Sequence, residues 1–511
     1  MSVLAHKCLK SAASSATRPG ASIGAVCKLS VTLAAAALLN ACAVGPDFVR
    51  PALPTVNSYT HAPLPVATVV ADGQAQHFTS GSDLTADWWR LFKSDALNAL
   101  VQQALADNPT LDVAQASLQQ SQDSLRAGYG VFFPQVDAGL DATRERSLPL
   151  ANGLQTSGTV FNVVALSGTV SYALDVFGGK RRAVEGLQAQ AEYQRNLSRA
   201  AYLALSANVV NASIARAAYA AEIRATRELI ELEIQQLAAA EVQFNTGTVS
   251  YAGVLSIRSL IAVNRAALAP LEQKLSQTEH LLATLEGLPP AQARLPQIDL
   301  AQLSLPLDLP VSLPSELVRQ RPDILSAEAQ MHAASANIGV ATAAMFPSIS
   351  LSGSYGGAGT SFGQLSADSV KFWSIGPSVT VPLFQGGSLW FGRKAAVDAY
   401  RQSQAEYRQT VLSAFAQVAD SLKALEHDAQ ALDAELEAQR DAGAALALVQ
   451  VNYRVGMVSY VDVLTADVQY HQTTLAYLQA VAQRQQDTVA LFAALGGGWW
   501  NAAAPIAGQT P

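Results

Sequence analysis

The side chains able to do chemistry in this 511-residue chain are few and scattered. Its seven histidines (His6, His61, His77, His280, His332, His427 and His471) contain no pair at ligand spacing, and none sits at ligand spacing from a cysteine of the mature part. A zinc or transition-metal site needs several such ligands converging at short intervals. A phosphate loop needs glycines between a strand and a helix, where free N–H groups meet the anion. The runs Gly356-Gly357-Ala358-Gly359 and Gly496-Gly497-Gly498 lack that setting and read as loops. A serine nucleophile needs a strained strand-to-helix elbow, and neither Ser171 nor Ser250 has one. The inventory points to a non-catalytic protein without cofactor or metal, whose function lies in its architecture.

That architecture is written twice. Asn108-Pro109-Thr110-Leu111 returns as Arg321-Pro322-Asp323-Ile324, and Phe133-Pro134 returns at the same offset as Phe346-Pro347. At nearly that offset, Phe244-Asn245-Thr246-Gly247-Thr248-Val249-Ser250-Tyr251 returns as Tyr453-Arg454-Val455-Gly456-Met457-Val458-Ser459-Tyr460. Halves of this size exceed a short solenoid repeat and read as an internal duplication.

Each half opens with amphipathic helix, then Phe-Pro, then strand. Ile349, Leu351 and Tyr355 alternate with serines 348, 350, 352 and 354, and Val136, Ala138, Leu140 and Ala142 alternate with Gln135, Asp137, Gly139 and Asp141. A second strand follows in each half: Val170, Tyr172 and Leu174 alternate with Thr169, Ser171 and Ala173, and Val379, Val381 and Leu383 with Ser378 and Thr380. Pro382 should end or bend that last pairing. Period-two alternation fits a barrel strand with a wet and a lipid face; it fits a small soluble β-domain equally well. Four strands cannot close a barrel in lipid, where an open edge leaves backbone groups unsatisfied, so spanning strands require several chains to share one barrel.

After each strand pair comes a proline-free stretch rich in Ala, Leu, Gln and Glu, from Gly178 to Gly247 and from Gly387 to Gly456. A continuous helix of that length reaches roughly 100 Å. Returning helices are expected over residues 254–285 and 463–495, so each half should be a strand pair plus a long antiparallel helical hairpin. Charged residues are only 14% of the chain, which suits closely packed helices better than an isolated globular enzyme.

Residues 1 to 41 hold Lys7, Lys10, Arg18 and Lys28 and no acid; without them 29 basic residues face 40 acidic ones, a net charge of −11. No basic patch remains for nucleic acid. The apolar run from Leu29 to Ala41 is too short to span a bilayer and reads as a secretory signal, with a leader long enough that the true start can lie downstream of Met1. Leu39-Asn40-Ala41-Cys42 resembles the lipobox of bacterial lipoproteins. The resemblance makes Cys42 the first mature residue, carrying N-acyl and S-diacylglycerol lipid, and Ala43 behind it implies sorting to the outer membrane. The other reading is an ordinary signal with an incidental cysteine. Cys8 and Cys27 depart with the leader, so no mature disulfide can form. No later uninterrupted apolar run is long enough to span a bilayer as a helix; a membrane would be crossed by strands.

The wider pattern resembles the outer membrane factor family, in particular its NodT-like or OprM-like lipoprotein branch serving resistance–nodulation–division (RND) efflux pumps, with a TolC-like fold. The resemblance runs from Cys42 to about Trp499. It is carried by Val44-Gly45-Pro46-Asp47-Phe48-Val49-Arg50-Pro51, Asp87-Trp88-Trp89, Leu313-Pro314-Ser315-Glu316-Leu317 with Arg321-Pro322-Asp323-Ile324, Ile338-Gly339-Val340-Ala341 before Phe346-Pro347, and Leu495-Gly496-Gly497-Gly498-Trp499. It implies a mostly α homotrimer whose four strands per chain make a twelve-stranded outer-membrane barrel of a Gram-negative bacterium. Its helices would form a periplasmic tunnel that docks an adaptor (membrane fusion) protein on an inner-membrane RND transporter. The domains expected are a signal peptide (1–41), a lipidated extended segment (42–95), two repeats (96–300 and 301–496) and a tail (497–511).

The family also implies a gate where the hairpin tips converge. Gly247, Thr248, Gly456 and Met457 match its adaptor-docking tips; a glycine there also suits a plain helix C-terminus. Asp462 aligns with an acid lining the constriction, where three copies would form a cation-favouring ring; the other reading is a solvated helical acid. The place of a second ring acid is Thr465. Tyr453 matches a latching tyrosine, but its acidic partner's place is Gly253 and a latching arginine's is Val458, so closure must use other contacts. Within the family the competing function is protein or peptide export with a type I secretion partner; outside it, a non-conducting envelope tether, which needs no alternating strands, and most remotely a lipoprotein enzyme. Met331, Met345 and Met457 are too few after the leader to suggest a methionine relay for copper or silver. In cells fed labelled palmitate, the chain should take up label and Cys42→Ser should take up none; label surviving that change would place the lipid elsewhere.

Overall fold

A computed structural model describes residues 43–147, 150–151, 154–155 and 158–501. The expected signal segment, Cys42 and most of the tail lie outside the described residues. In chain order the strands are β1 (His77–Ser80), β2 (Gln135–Ser147), β3 (Leu150–Ala151), β4 (Leu154–Gln155), β5 (Thr159–Leu174), β6 (Asp308–Val311), β7 (Ser348–Gly359) and β8 (Lys371–Thr380). The helices are α1 (Asp95–Asp107), α2 (Pro109–Gly128), α3 (Gly179–Asn245), α4 (Tyr251–Leu285), α5 (Pro314–Gln320), α6 (Pro322–Ala343), α7 (Ser388–Arg454) and α8 (Tyr460–Ala494). Two compact units result, and both draw on both sequence repeats. Of the described residues, one takes 43–45 with Phe132–Arg182 and Gly339–Gly386; the other takes Pro46–Val131, Ala183–Ile338 and 387–501.

The first unit is built on a four-stranded antiparallel sheet in the order β2-β5-β7-β8. Its register puts Leu140 opposite Leu166, Val136 opposite Val170, Tyr172 opposite Leu351 and Tyr355 opposite Trp373. Because side chains alternate across a pleated strand, these residues share one face, and most of it is solvent-exposed: Val136 is 73% and Trp373 74% accessible. The other face carries Asp137, Thr169, Ser352, Ser354 and Ser374, with the hydroxyls of Ser354 and Ser374 2.8 Å apart.

Two expectations need correcting. Gly356 to Gly359 are not loop but the last third of β7, paired to β5. A Cβ on Gly356 would lie 2.4 Å from Leu166 O and 2.9 Å from the Phe372 ring, so glycine is there for close packing and not for a turn. Val381 and Leu383 lie beyond β8, which stops at Thr380 as Pro382 demands. Pro377 is accommodated within β8 because that strand has a neighbour on one side only.

The second unit is helical. α3 and α7 are each 67 residues long, their length permitted by the absence of proline and stabilised by burial of one face. Fully buried Val209, Val210, Ile214, Leu422, Leu425, Val489 and Phe492 pack with Trp88, Phe92 and Leu97 in one core. Ion pairs Arg216–Glu279 (3.0 Å), Arg227–Glu272 (2.6 Å) and Arg258–Glu241 (2.6 Å) join α3 to α4 at steadily closer sequence positions, the signature of an antiparallel hairpin. By length and composition alone α4 is apolar enough to cross a membrane; these pairs commit it to α3 instead. The two exposed pairs, Arg227–Glu272 and Arg258–Glu241, contribute under about 1 kcal/mol each; they set register more than stability. In the second hairpin, the Tyr470 ring of α8 lies where a Cβ on Gly443 of α7 would be 3.1 Å away. Arg484, buried on α8, donates to Gln76 Oε1 (3.0 Å) and Thr68 Oγ1 (3.3 Å), binding the N-terminal segment to the bundle.

The duplication persists in the hydrogen bonds. Asn108 caps α2 by accepting from Thr110 N, while its Nδ2 donates to Leu285 O at 2.7 Å. Its counterpart Arg321, before α6, donates Nη1 to Ala494 O at 2.9 Å. Each thus satisfies one of the last carbonyls of the returning helix in its own half, which the helix itself leaves open.

Gly287 (φ +76) follows the first of these ends, and a Cβ there would lie 2.3 Å from Asp107 O; Gly247 (φ +78) has open space around the same position. Gly287→Ala should therefore lower the denaturant midpoint of the detergent-solubilised chain well beyond Gly247→Ala, which carries only the left-handed backbone cost of about 1–2 kcal/mol.

Candidate gate at the helix tips

The two tips, residues 243–253 and 452–462, are built alike because the sequence repeats there. Gly247 N donates to Phe244 O (2.9 Å) and Thr248 N to Gln243 O (2.9 Å); Gly456 N donates to Tyr453 O (3.0 Å) and Met457 N to Asn452 O (2.9 Å). This is the glycine-closed helix end in which two N–H groups answer the last open carbonyls, and both glycines have the required positive φ. Across each turn two rings meet, Phe244 with Tyr251 and Tyr453 with Tyr460, both at 5.3 Å between centroids. Met457 is 75% accessible and Val455 66%, so the second tip presents an apolar end.

The expected pore residues occupy definite places. Asp462 is the third residue of α8, and its Oδ2 accepts from Ser459 Oγ (2.7 Å) and Ser459 N (2.8 Å). The carboxylate so reaches back to the helix start, as the acid of a capping box does. Those two hydrogen bonds, the hydroxyl's first, hold its pKa below the ordinary aspartate value. At the first tip Gly253 stands in that place, and Ser250 Oγ instead accepts from Gly253 N at 3.4 Å. Thr465 is exposed, with its hydroxyl donating to Val461 O at 2.9 Å. Tyr453 donates to Gln243 Oε1 (3.1 Å) and Tyr460 to Gln236 Oε1 (2.6 Å). These bonds join the second hairpin to the first where Gly253 and Val458 supply no acid or arginine.

Gln243 and Gln236 were not singled out from the sequence, since long polar helices carry many glutamines and nothing marks these two. Ser459 was not singled out either, although a serine three residues before an acid is a helix-start pattern. No group of three His, Cys, Asp or Glu side chains able to hold a metal occurs among the described residues. A cavity of about 570 Å³ lies elsewhere, lined by Pro51, Pro54, Met331, Tyr407, Val411 and Phe415, and is mainly apolar.

Two variants separate the roles of Asp462. Ser459→Ala removes a partner but keeps the charge and should loosen the start of α8 by roughly 1 kcal/mol. Asp462→Asn keeps the size and removes the charge. Cation selectivity of the current should fall with Asp462→Asn and hold with Ser459→Ala if the acid faces the ions; equal behaviour of the two would reduce it to a cap.

The family model described as outer membrane efflux protein matches residues 100–288 and 313–497, one stretch in each repeat. The chain is 31% identical over 483 residues to the toluene efflux pump outer membrane protein TtgC of Pseudomonas putida, covering 91% of this chain and 94% of that one. It is 28% identical over 479 residues to the cation efflux system protein CusC of Escherichia coli, covering 93% and 99%. Among solved structures it superposes on the outer-membrane channel OprN with a TM-score of 0.79 at 26% identity, covering 90% of this chain and all of the other. With both repeats matched and the fold shared, the chain belongs to the outer membrane efflux protein family.

Proposed function

We propose that three copies of this chain, anchored through lipid on Cys42, form the exit duct of a tripartite efflux system. The duct receives small molecules from an inner-membrane RND pump through a periplasmic adaptor. The observation that carries the reading is the sheet: four strands in which, among the described residues, β2 and β8 each have a strand neighbour on one side only, with an exposed apolar face. Three such sheets, edge to edge, supply the closure that a lipid-embedded β-structure requires. The long hairpins then form the conduit, with Gly247, Thr248, Gly456 and Met457 as the adaptor-facing tips and Asp462, Thr465 and Tyr453 at the constriction. The channel opens and conducts and does no catalysis; it needs no cofactor. Cargo is chosen chiefly by the pump, which accords with relatives named for toluene and for cations. A non-conducting tether would have no use for an amphipathic sheet.

In planar bilayers the purified lipoprotein should give small, mostly closed currents, and Asp462→Ala should raise opening or alter cation selectivity. Folded, oligomeric protein that passes no current would support the tether instead. Leu140→Arg on the apolar face should cost up to about 2–4 kcal/mol in membrane insertion, the range for a cation facing lipid. Thr169→Arg on the opposite face should be tolerated and should change conductance.

A further inference from the structure

Behind the tips lies a small apolar cluster, separate from the main core, made by Ile230 and Ala240 of α3, Val254, Ile257 and Ile261 of α4, and Leu464 of α8. Two carboxyl groups are buried beside it. Glu233 of α3 is fully buried and Asp467 of α8 is 3% accessible. Asn264 Nδ2 of α4 donates to Glu233 Oε1 at 2.7 Å. Glu233 Oε2 and Asp467 Oδ2 have no hydrogen-bond partner. The site therefore joins the first hairpin to the second, and it holds two acids that nothing neutralises.

The groups facing it offer no counter-charge. On α8, Tyr460 commits its hydroxyl to Gln236 of α3, and burial keeps His471 toward its neutral form. Tyr453 of α7 is bonded to Gln243, and Arg258 of α4 is paired with Glu241. No lysine or arginine is paired with either carboxyl among the described residues. A buried carboxylate without a cation is costly, and two in one site repel; a proton on the pair removes both penalties.

We propose that Glu233 and Asp467 form a proton-binding site that locks the second hairpin onto the first. With the proton held, α8 stays packed on α3 and α4; when the proton leaves to solvent, the ionised pair drives the hairpins apart and frees the tip. Burial, reinforced by Asp467, raises Glu233 to about 7, and burial raises Asp467 to about 6. The sign follows: the packed state binds the proton more tightly than the separated one, so packing is firmest below the ordinary carboxylate range, weakens as pH rises from there, and has lost this contribution once pH passes both raised values. Asp462, held below the ordinary range, titrates outside this window.

The inference rests on the tip being the gate, so its test reads packing and conduction separately. Hydrogen exchange in residues 460–470 of the full-length trimer, corrected for intrinsic rates, should lose protection from about pH 4 up to about pH 7 and level off above that, by up to tenfold per pH unit for one linked proton. Glu233→Gln combined with Asp467→Asn should stay protected throughout, and its currents should stay closed while wild-type opening rises with pH. Wild-type protection that is flat, or a pH response unchanged in the double variant, overturns the lock. Exchange that behaves as expected, with no current at any pH, supports the lock and counts against the channel reading alone.

Discussion

Every backbone N–H and C=O in a bilayer must find a partner within the protein, and a sheet meets that demand only when its edges are paired. Among the described residues β2 and β8 each have one neighbouring strand, and the sheet exposes Val136, Leu140, Trp373 and Ile375 on a single face. Closure from outside the chain follows from that constraint. A long helix follows the sheet's second strand in the chain and another follows its fourth, so in the proposed trimer the symmetry that closes the barrel also sets how many hairpins surround the axis.

The duplication solves a second problem, that of ending helices 67 residues long without stray polar groups. The C-terminal ends of these helices and of their returning partners carry repeated devices. Gly247 and Gly456 close the tips, Asn108 and Arg321 cover the final carbonyls of α4 and α8, and aromatic pairs brace both turns. Where the two halves diverge, function is the natural reason. Ser459 and Asp462 form a charged helix start at one tip, whereas Ser250 and Gly253 form a neutral one at the other. Glu233 has Ala442 in the corresponding place, and Asp467 has Arg258. A symmetric scaffold with an asymmetric end is suited to moving one hairpin against the other.

The absence of the expected acid and arginine at Gly253 and Val458 does not leave the tips apart. Tyrosine-to-glutamine hydrogen bonds span the same gap, at 3.1 and 2.6 Å. Neutral bonds of this kind contribute about 0.5–1.5 kcal/mol each. In the proposed gate they suit a contact that breaks on opening, whereas a desolvated ion pair is harder to reverse.

Much of this was legible in the sequence because it depends on local periodicity. Alternation along Ser348–Tyr355 defines a two-faced strand, proline-free runs between Gly178 and Gly247 and between Gly387 and Gly456 define the long helices, and repeated glycines mark their tips. Family membership followed from motif order. What the sequence left undecided depends on which segments meet in space. Gly356 to Gly359 looked like loop because glycine permits turns, but Leu166 and Phe372, distant in the chain, leave no room for a side chain there. Asp462 was marked as a pore acid by alignment, while its bond to Ser459 emerged only with the helix start in place. Glu233 and Asp467, one in each repeat, carry no local signal at all. Their chemistry comes from shared burial, a property of packing between the two repeats that neither repeat encodes by itself.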